Sequence, residues 1–136
     1  MKRFSSTSLN AERTISMDKP HKRLLAWKRS MDLVVRVYEL TKGFPKEEVY
    51  GLTAQLRRAA VSVPSNISEG GTARSQEQFK NFLSIAIGSL NEISTQIEIA
   101  LRVGYLEFTK CENTERLIDE CLALAYGLRK TLKSSM

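Results

Sequence analysis

Residues 55–74 read QLRRAAVSVPSNISEGGTAR, a helical pattern interrupted by one proline. Apolar side chains recur at helical spacing and give this segment one apolar side; they are Leu56, Ala59, Ala60, Val63 and Ile67. Pro64 lacks an amide donor and its ring clashes with the preceding turn, so the helix must bend or restart there. Because Ile67 keeps the same face, we expect a bend. The paired glycines Gly70 and Gly71 are expected to end the helix.

The segment before this helix predicts another helix and a turn. From about Leu24 onwards, apolar residues again recur at helical spacing; one side carries Trp27, Met31, Val34, Val35 and Tyr38. Gly43 is expected to adopt the left-handed conformation past the helix end, and Pro45 prevents continuation. The second helix is then expected to begin near Glu47, whose charge favours a helix N-terminus, and to bury Val49.

Two helices are predicted after the paired glycines. Ser75 and Gln78 form a capping-box pattern before a third helix of about 28 residues. Gly104 is expected to close that helix, and Thr109 with Glu112 gives a second capping-box pattern. Short connections force neighbouring helices to run antiparallel. The predicted fold is therefore all-α, an up-down-up-down antiparallel four-helix bundle with its second helix kinked at the proline.

Most of the excess positive charge lies near the N-terminus. Residues 1–24 contain six Lys or Arg and two Asp or Glu, whereas residues 25–136 contain fifteen and thirteen. We expect residues 1–22 to form a flexible basic tail and residues 23–136 to form the bundle. Met17 is an alternative start, in which case residues 1–16 are not native.

Residue types and spacing argue against several classes of protein. No window is long and apolar enough for a membrane span, and the N-terminus lacks a secretory apolar region, so a cytoplasmic protein is expected. Cys111 and Cys121 lie ten positions apart in one predicted helix, about 15 Å along its axis, which is too far for a disulfide. The single histidine, His21, cannot supply the two Glu-x-x-His motifs of a di-iron bundle. We predict neither a metal nor a cofactor.

A neutral stripe is predicted on the outer side of the third helix. Its members are small and uncharged where lysine and glutamate are expected on a solvent face; they are Ser84, Gly88, Asn91 and Thr95. This stripe is a candidate oligomer interface, provided that a partner buries the neighbouring Ile85, Ile87 and Ile99. The alternative is a surface that simply tolerates small residues.

Six basic residues are candidates for nucleic-acid binding: Lys22, Arg29, Arg36, Arg57, Arg58 and Arg74. The first three repeat every seven residues and share one side if the first helix extends far enough towards the N-terminus. In a ring, each charge is multiplied by the number of subunits, which favours contacts to phosphates. Alternatively, Arg57 or Arg58 pairs with Glu69 or another acid and supports the kink. Few aromatic residues lie among these basic residues, so the sequence does not indicate stacking on nucleobases.

Residues 27–132 resemble the four-helix bundle proteins associated with intervening sequences of bacterial 23S ribosomal RNA. The matching segments are LLAWKRSMDLVVRVYELT at 24–41, GFPKEE at 43–48, YGLTAQLRRAAVSVPSNISEG at 50–70, FLSIAIGSLNEISTQIEIALRVGYL at 82–106 and YGLRKTLK at 126–133. The resemblance implies an up-and-down bundle that assembles into a ring, commonly a pentamer. It provides no catalytic residues. Relatives include the accessory variability determinants that assist reverse transcriptases in diversity-generating retroelements.

Together, these features predict a non-enzymatic homo-oligomer. Its expected partners are copies of itself and RNA or DNA, with a reverse transcriptase as a further possible partner. The alternative is a scaffold for protein–protein interactions that binds no nucleic acid. No phosphate-binding GxxxxGK[ST] loop is present, and Glu112, Glu115 and Asp119 are expected to form a solvated face of the fourth helix.

Overall fold

The computed structural model describes residues 21–132 and confirms the all-α prediction. The helices are α1, His21–Thr41; α2, Leu52–Gly71; α3, Gln76–Arg102; and α4, Phe108–Thr131, and a short 3₁₀ turn spans Lys46–Glu48. Each helix packs against the next, and α1 also packs against α4, which closes an antiparallel four-helix bundle. The predictions made for residues 1–20 and 133–136 lie outside the described residues.

The core is a continuous apolar cluster drawn from all four helices. Its largest fully buried side chains include Leu33, Leu56, Ile67, Leu83, Leu90, Ile93, Ile97 and Ile118. α2 continues through the buried Pro64 and does not restart there, as predicted from its uninterrupted apolar face. None of the helices in residues 21–132 is long and apolar enough to cross a membrane.

The paired glycines end α2 as predicted, but close packing explains them better than backbone flexibility. A Cβ atom at Gly70 would lie 2.5 Å from Cδ1 of the Phe79 ring on α3. At Gly71, the guanidinium of Arg23 occupies the space that a side chain would need. Neither glycine has a positive φ, whereas Gly104, which was predicted to close α3 and follows it, has the left-handed φ of 87°.

The connection between α1 and α2 differs from the prediction. Gly43 does not have the predicted positive φ, and α2 begins at Leu52 and not near Glu47. The reason is that Glu48 lies in the 3₁₀ turn before α2, and its carboxylate caps the helix by accepting a 2.9 Å hydrogen bond from the Leu52 amide. Val49 therefore lies in the turn and is 52% exposed, so the prediction that it is buried was wrong.

The ends of α1, α3 and α4 agree with the sequence patterns to different degrees. α1 begins at His21, slightly before the predicted start. Ser75 caps α3 as predicted, because its hydroxyl accepts a hydrogen bond from the Gln78 amide. α4 begins at Phe108 after an extended Glu107, so the capping box predicted at Thr109 was wrong.

Candidate interaction surfaces

The structure brings the neutral stripe together on one exposed side of α3. All four of its residues, Ser84, Gly88, Asn91 and Thr95, are exposed. Their spacing of four, three and four residues keeps them on one face of the helix. Arg129 of α4 borders the stripe, since its Nη1 atom donates a 3.0 Å hydrogen bond to the Ser84 hydroxyl.

Two of the three expected apolar neighbours flank the stripe. Ile85 is 51% exposed and Ile99 is 45% exposed. Ile87 is only 5% exposed, so the expectation that a partner is needed to bury it was wrong: its side of α3 already packs within the protomer. The surface available for an interface is therefore a polar stripe with one edge formed by Ile85, Glu92 and Ile99, so this edge carries one negative charge.

Hydrogen bonds between uncharged side chains continue this surface across the contact between α3 and α2. The hydroxyl groups of Ser62 and Ser89 lie 2.8 Å apart, and Asn66 donates to the Ser62 carbonyl at 2.8 Å. The exposed Val61 lies on the other flank of α2, four residues after Arg57, which contacts α1. The joined α2–α3 surface therefore takes small polar residues from both helices and its aliphatic residues from α3.

The basic residues of α1 lie beside acids of α1 and α4. Because α1 is continuous from His21, the heptad spacing keeps Lys22, Arg29 and Arg36 on one side of the helix, as predicted. The Arg29 Nε atom lies 2.8 Å from a carboxylate oxygen of Glu120, and its Nη1 lies 3.3 Å from Asp32. The hydrogen bond and the charge of Glu120 raise the pKa of Arg29 above its usual value. Its charge is therefore locally compensated.

Arg36 also lies in surroundings of mixed charge. A surface depression of about 690 Å³ lies between α1 and α4. Its charged lining consists of three arginines and three acids: Arg29, Arg36, Arg116, Asp32, Glu39 and Glu120. Equal numbers of opposite charges do not favour a polyanion. These six side chains therefore contribute no net charge to the depression.

Arg57 connects two helices and does not pair with Glu69. Its Nε atom donates a 2.8 Å hydrogen bond to the Thr41 hydroxyl, and its guanidinium carbon lies 4.4 Å from the centroid of the Tyr38 ring. These contacts fix the last turn of α1 against α2. The adjacent Arg58 points to solvent and is exposed.

The six basic candidates do not form one surface. Lys22 and Arg74 are exposed at the end of the bundle where α1 begins and α2 ends. Arg36 and Arg57 lie towards the opposite end, and Arg29 lies between the two groups. Any nucleic-acid surface within the described residues therefore uses only part of the predicted set.

A cavity of about 390 Å³ between α3 and α4 contains groups that the sequence analysis assigned to a solvated face or to the core. Its lining includes Glu98, Phe108, Cys111 and Glu115. Burial, and then the nearby Asp119 and Glu98, raise the pKa of the Glu115 carboxyl. The four-residue spacing between the apolar-side Cys111 and Glu115 was the available signal that Glu115 turns inwards.

This cavity lacks an activated nucleophile. Burial, followed by the charge of Glu115, raises the pKa of the Cys111 thiol, which keeps it protonated and poorly nucleophilic. Within residues 21–132, no group of three or more His, Cys, Asp or Glu side chains is arranged to hold a metal ion. The cavity is thus an acidic groove with an apolar base.

Comparisons with known proteins point to one family. The sequence model of the 23S rRNA-intervening sequence protein family matches residues 22–127. A crystal structure of a protein of unknown function from the S23 ribosomal protein family of Bacteroides thetaiotaomicron VPI-5482 is similar, with a TM-score of 0.75 and 27% sequence identity. The match covers 81% of this chain and 99% of that chain. Comparison with curated proteins gives no match.

Proposed function

Because this chain belongs to the 23S rRNA-intervening sequence protein family, we propose that it is a non-enzymatic, homo-oligomeric accessory protein that binds nucleic acid or a nucleoprotein. The proposed assembly is a ring, with five subunits as the expected number. A reverse transcriptase is the proposed enzyme partner if the relation to accessory variability determinants extends to this chain. The family match covers most of the bundle and carries the proposal.

The α2–α3 surface supports self-association. Stable interfaces are depleted of charge at their centre and enriched in apolar residues. The neutral stripe meets the first condition, and the half-exposed Ile85 and Ile99 meet the second, with one charge, that of Glu92, between them. Ring formation requires two different patches to meet, so this surface is proposed as one half of a heterologous contact.

The chemistry of the cavities favours a binding role over catalysis. General acid–base or nucleophilic catalysis needs a base, acid or nucleophile with a suitable pKa. The α3–α4 cavity offers a protonated thiol and a single carboxyl with a raised pKa, Glu115, and the α1–α4 depression contains arginines beside carboxylates. Neither arrangement activates a nucleophile.

The mass of the protein in solution tests the assembly. We expect light scattering coupled to size exclusion to give a mass several times 15.4 kDa. Ile85→Asp places a charge beside the neutral stripe and should reduce that mass, whereas Val35→Asp, a similarly exposed position on α1, should not. A monomeric wild type would contradict the proposal, as would equal effects of the two substitutions.

A salt titration with RNA and DNA tests the nucleic-acid role. Binding through phosphates releases counterions, so affinity should fall steeply as salt rises. If no binding occurs at low salt, or if affinity is independent of salt, this role is wrong.

A scaffold without nucleic acid is the second candidate function, and the balanced charges of the α1–α4 depression favour it. Its expected signature is a protein partner whose recovery in a pulldown survives nuclease treatment. Loss of that partner on nuclease treatment would instead indicate a complex held together by nucleic acid.

A further inference from the structure

The charges of the bundle are separated along its axis. We define the basic end as residues 21–28, 62–89 and 121–132, the parts of the four helices nearest the start of α1. The basic end contains seven Lys or Arg and two Asp or Glu, a net charge of +5. The other described residues, 29–61 and 90–120, contain nine Lys or Arg and eleven Asp or Glu, a net charge of −2.

Contacts between helices show that the three segments of the basic end meet in space. Arg23 on the first turn of α1 lies against Gly71 at the end of α2. The ring of Phe79 on α3 packs against Gly70, and Arg129 on α4 reaches Ser84 on α3. The basic residues of this end are Lys22, Arg23, Lys28, Arg74, Lys80, Arg129 and Lys130.

We propose that this basic end is the surface that contacts the phosphates of nucleic acid. The inference rests on the proposed function and deepens it, because it moves the contact from the side of α1 to one end of the bundle. Lys22 and Arg74 are retained from the candidates predicted by sequence, and Lys80, Arg129 and Lys130 are added. Arg29, Arg36, Arg57 and Arg58 lie outside the basic end.

Screening allows the two ends to act independently. α1 has 21 residues and is therefore about 30 Å long at 1.5 Å per residue. The Debye length at physiological salt is about 8 Å. A polyanion at the basic end is therefore largely shielded from the acids of the opposite half. The net charge of residues 21–132, +3, is consequently lower than the charge of +5 that a polyanion meets at the basic end.

The sequence that precedes the described residues has a net positive charge and is joined to the basic end. Residues 1–20 contain four Lys or Arg and two Asp or Glu, and they join the bundle at His21, where the basic end begins. This continuity distinguishes the basic end from the opposite end, which carries the two loops around Glu48 and Glu107.

The expected recognition is of the nucleic-acid backbone and not of the bases. Base stacking requires accessible aromatic faces. Tyr126 is the exposed aromatic residue within the described part of the basic end, and the Arg129 guanidinium already lies over it, 5.0 Å from the ring centroid. Contacts through Lys and Arg alone predict binding that depends on salt and is insensitive to sequence.

Two charge-matched triple variants test the location. The first, Lys22→Glu, Arg74→Glu and Lys130→Glu, changes three exposed residues of the basic end; the control, Lys42→Glu, Arg58→Glu and Lys110→Glu, changes three exposed residues outside it. Both lower the net charge of the full chain by six. Binding to a duplex RNA of generic sequence is measured by fluorescence anisotropy across a salt series, with circular dichroism as a check on folding.

We expect the basic-end variant to lose at least about tenfold in affinity at physiological salt, where the two ends are screened from each other, and to show a shallower salt dependence, while the control stays within about threefold. A milder variant, Lys22→Gln, Arg74→Gln and Lys130→Gln, should have an affinity between those of the two triple variants. It replaces the first variant in the test if that variant folds poorly. Equal losses in both triple variants would overturn the location while leaving the proposed function intact. Absence of binding by the wild type would overturn both.

Discussion

The guanidinium of Arg23 lies directly against the backbone of Gly71, in the space that any side chain at position 71 would occupy. Arg23 is only 5% exposed, so the contact is part of the packed end of the bundle. It places a positive charge beside the last turn of α2, where the helix dipole is negative. Together with the packing of Phe79 on Gly70, it explains why two glycines end this helix.

Alanine at Gly70 should destabilise the protein although alanine is the better helix former. The gain in helix propensity is about 1 kcal/mol, whereas overpacking typically costs about 1–3 kcal/mol. Since a new Cβ would lie 2.5 Å from the Phe79 ring, we expect Gly70→Ala to lower the free energy of unfolding, as measured by urea denaturation. Gly127→Ala is the control, because open space surrounds Gly127, and it should stabilise α4. A stabilised Gly70→Ala protein would contradict the packing explanation.

Arg57 should matter for stability and Arg58 should not. Arg57→Ala removes the hydrogen bond to Thr41 and the stacking on Tyr38, and we expect a loss of about 1–2 kcal/mol in the free energy of unfolding. Arg57→Lys should recover little of this loss, because an ammonium group lacks the planar, forked geometry of the guanidinium. Arg58→Ala, at an exposed neighbouring position, is the matched control. Equal effects at both positions would show that the contact to α1 is unimportant.

The course of the helices was predictable from periodicity, although on α1 the predicted apolar side includes Val35 and Tyr38, which are exposed. The face formed by Leu56, Val63 and Ile67 is buried as the spacing indicated, and the same reasoning carried α2 through Pro64. The start of α2 was not predictable in this way. Its cap comes from Glu48, a side chain in the preceding turn, and this geometry has no fixed sequence pattern.

The candidate surfaces were less predictable because they depend on contacts between distant residues. The partner of Arg29 is Glu120 on α4, and the partners of Arg57 are at the end of α1. Neither pair follows from local spacing. The basic end likewise becomes visible only when the antiparallel order brings Lys22, Arg74 and Lys130 to the same end of the bundle.

The hydrogen bonds of Glu48 should make stability depend on acidic pH. Its carboxylate accepts hydrogen bonds from the Leu52 amide and the Tyr105 hydroxyl, and in that order they lower its pKa. A carboxyl group with a lowered pKa in the folded state stabilises the protein above its unfolded pKa, and this contribution is lost as pH falls through the folded value. We expect urea midpoints to fall less between pH 5 and pH 3 for Glu48→Gln than for the wild type.

The control for this pH dependence is Glu47→Gln, which changes an exposed carboxylate on the same turn. It should keep the pH dependence of the wild type. The hydrogen bond from the Tyr105 hydroxyl to Glu48 also raises the pKa of Tyr105. The contribution of Tyr105 to stability is therefore present below its unfolded pKa and is lost only in strongly alkaline solution. A wild-type profile that matches Glu48→Gln at every pH would contradict this role of Glu48.

Both cysteines should be inert in the native protein. Burial, as the main cause, raises the pKa of Cys121 to about 12 and also raises that of Cys111. The thiolate is the reactive form, so few molecules can react at pH 8. We expect the native thiols to react with an aromatic disulfide reagent at least about 100-fold more slowly than the thiols of the urea-unfolded protein. Rapid modification of either thiol without unfolding would show that α4 opens readily from the bundle.

Thr114 should be replaceable by valine with a gain in stability. Its side chain is fully buried in α4, and its hydroxyl has no hydrogen-bond partner among residues 21–132. An unsatisfied buried hydroxyl costs about 1–3 kcal/mol, and valine has nearly the same shape without that group. Thr114→Val should therefore raise the free energy of unfolding by about 1 kcal/mol. Thr41→Val provides the contrast, since the Thr41 hydroxyl donates to the Val37 carbonyl and accepts from Arg57; its loss should destabilise the protein. If both substitutions destabilise, the Thr114 hydroxyl has a partner in solution.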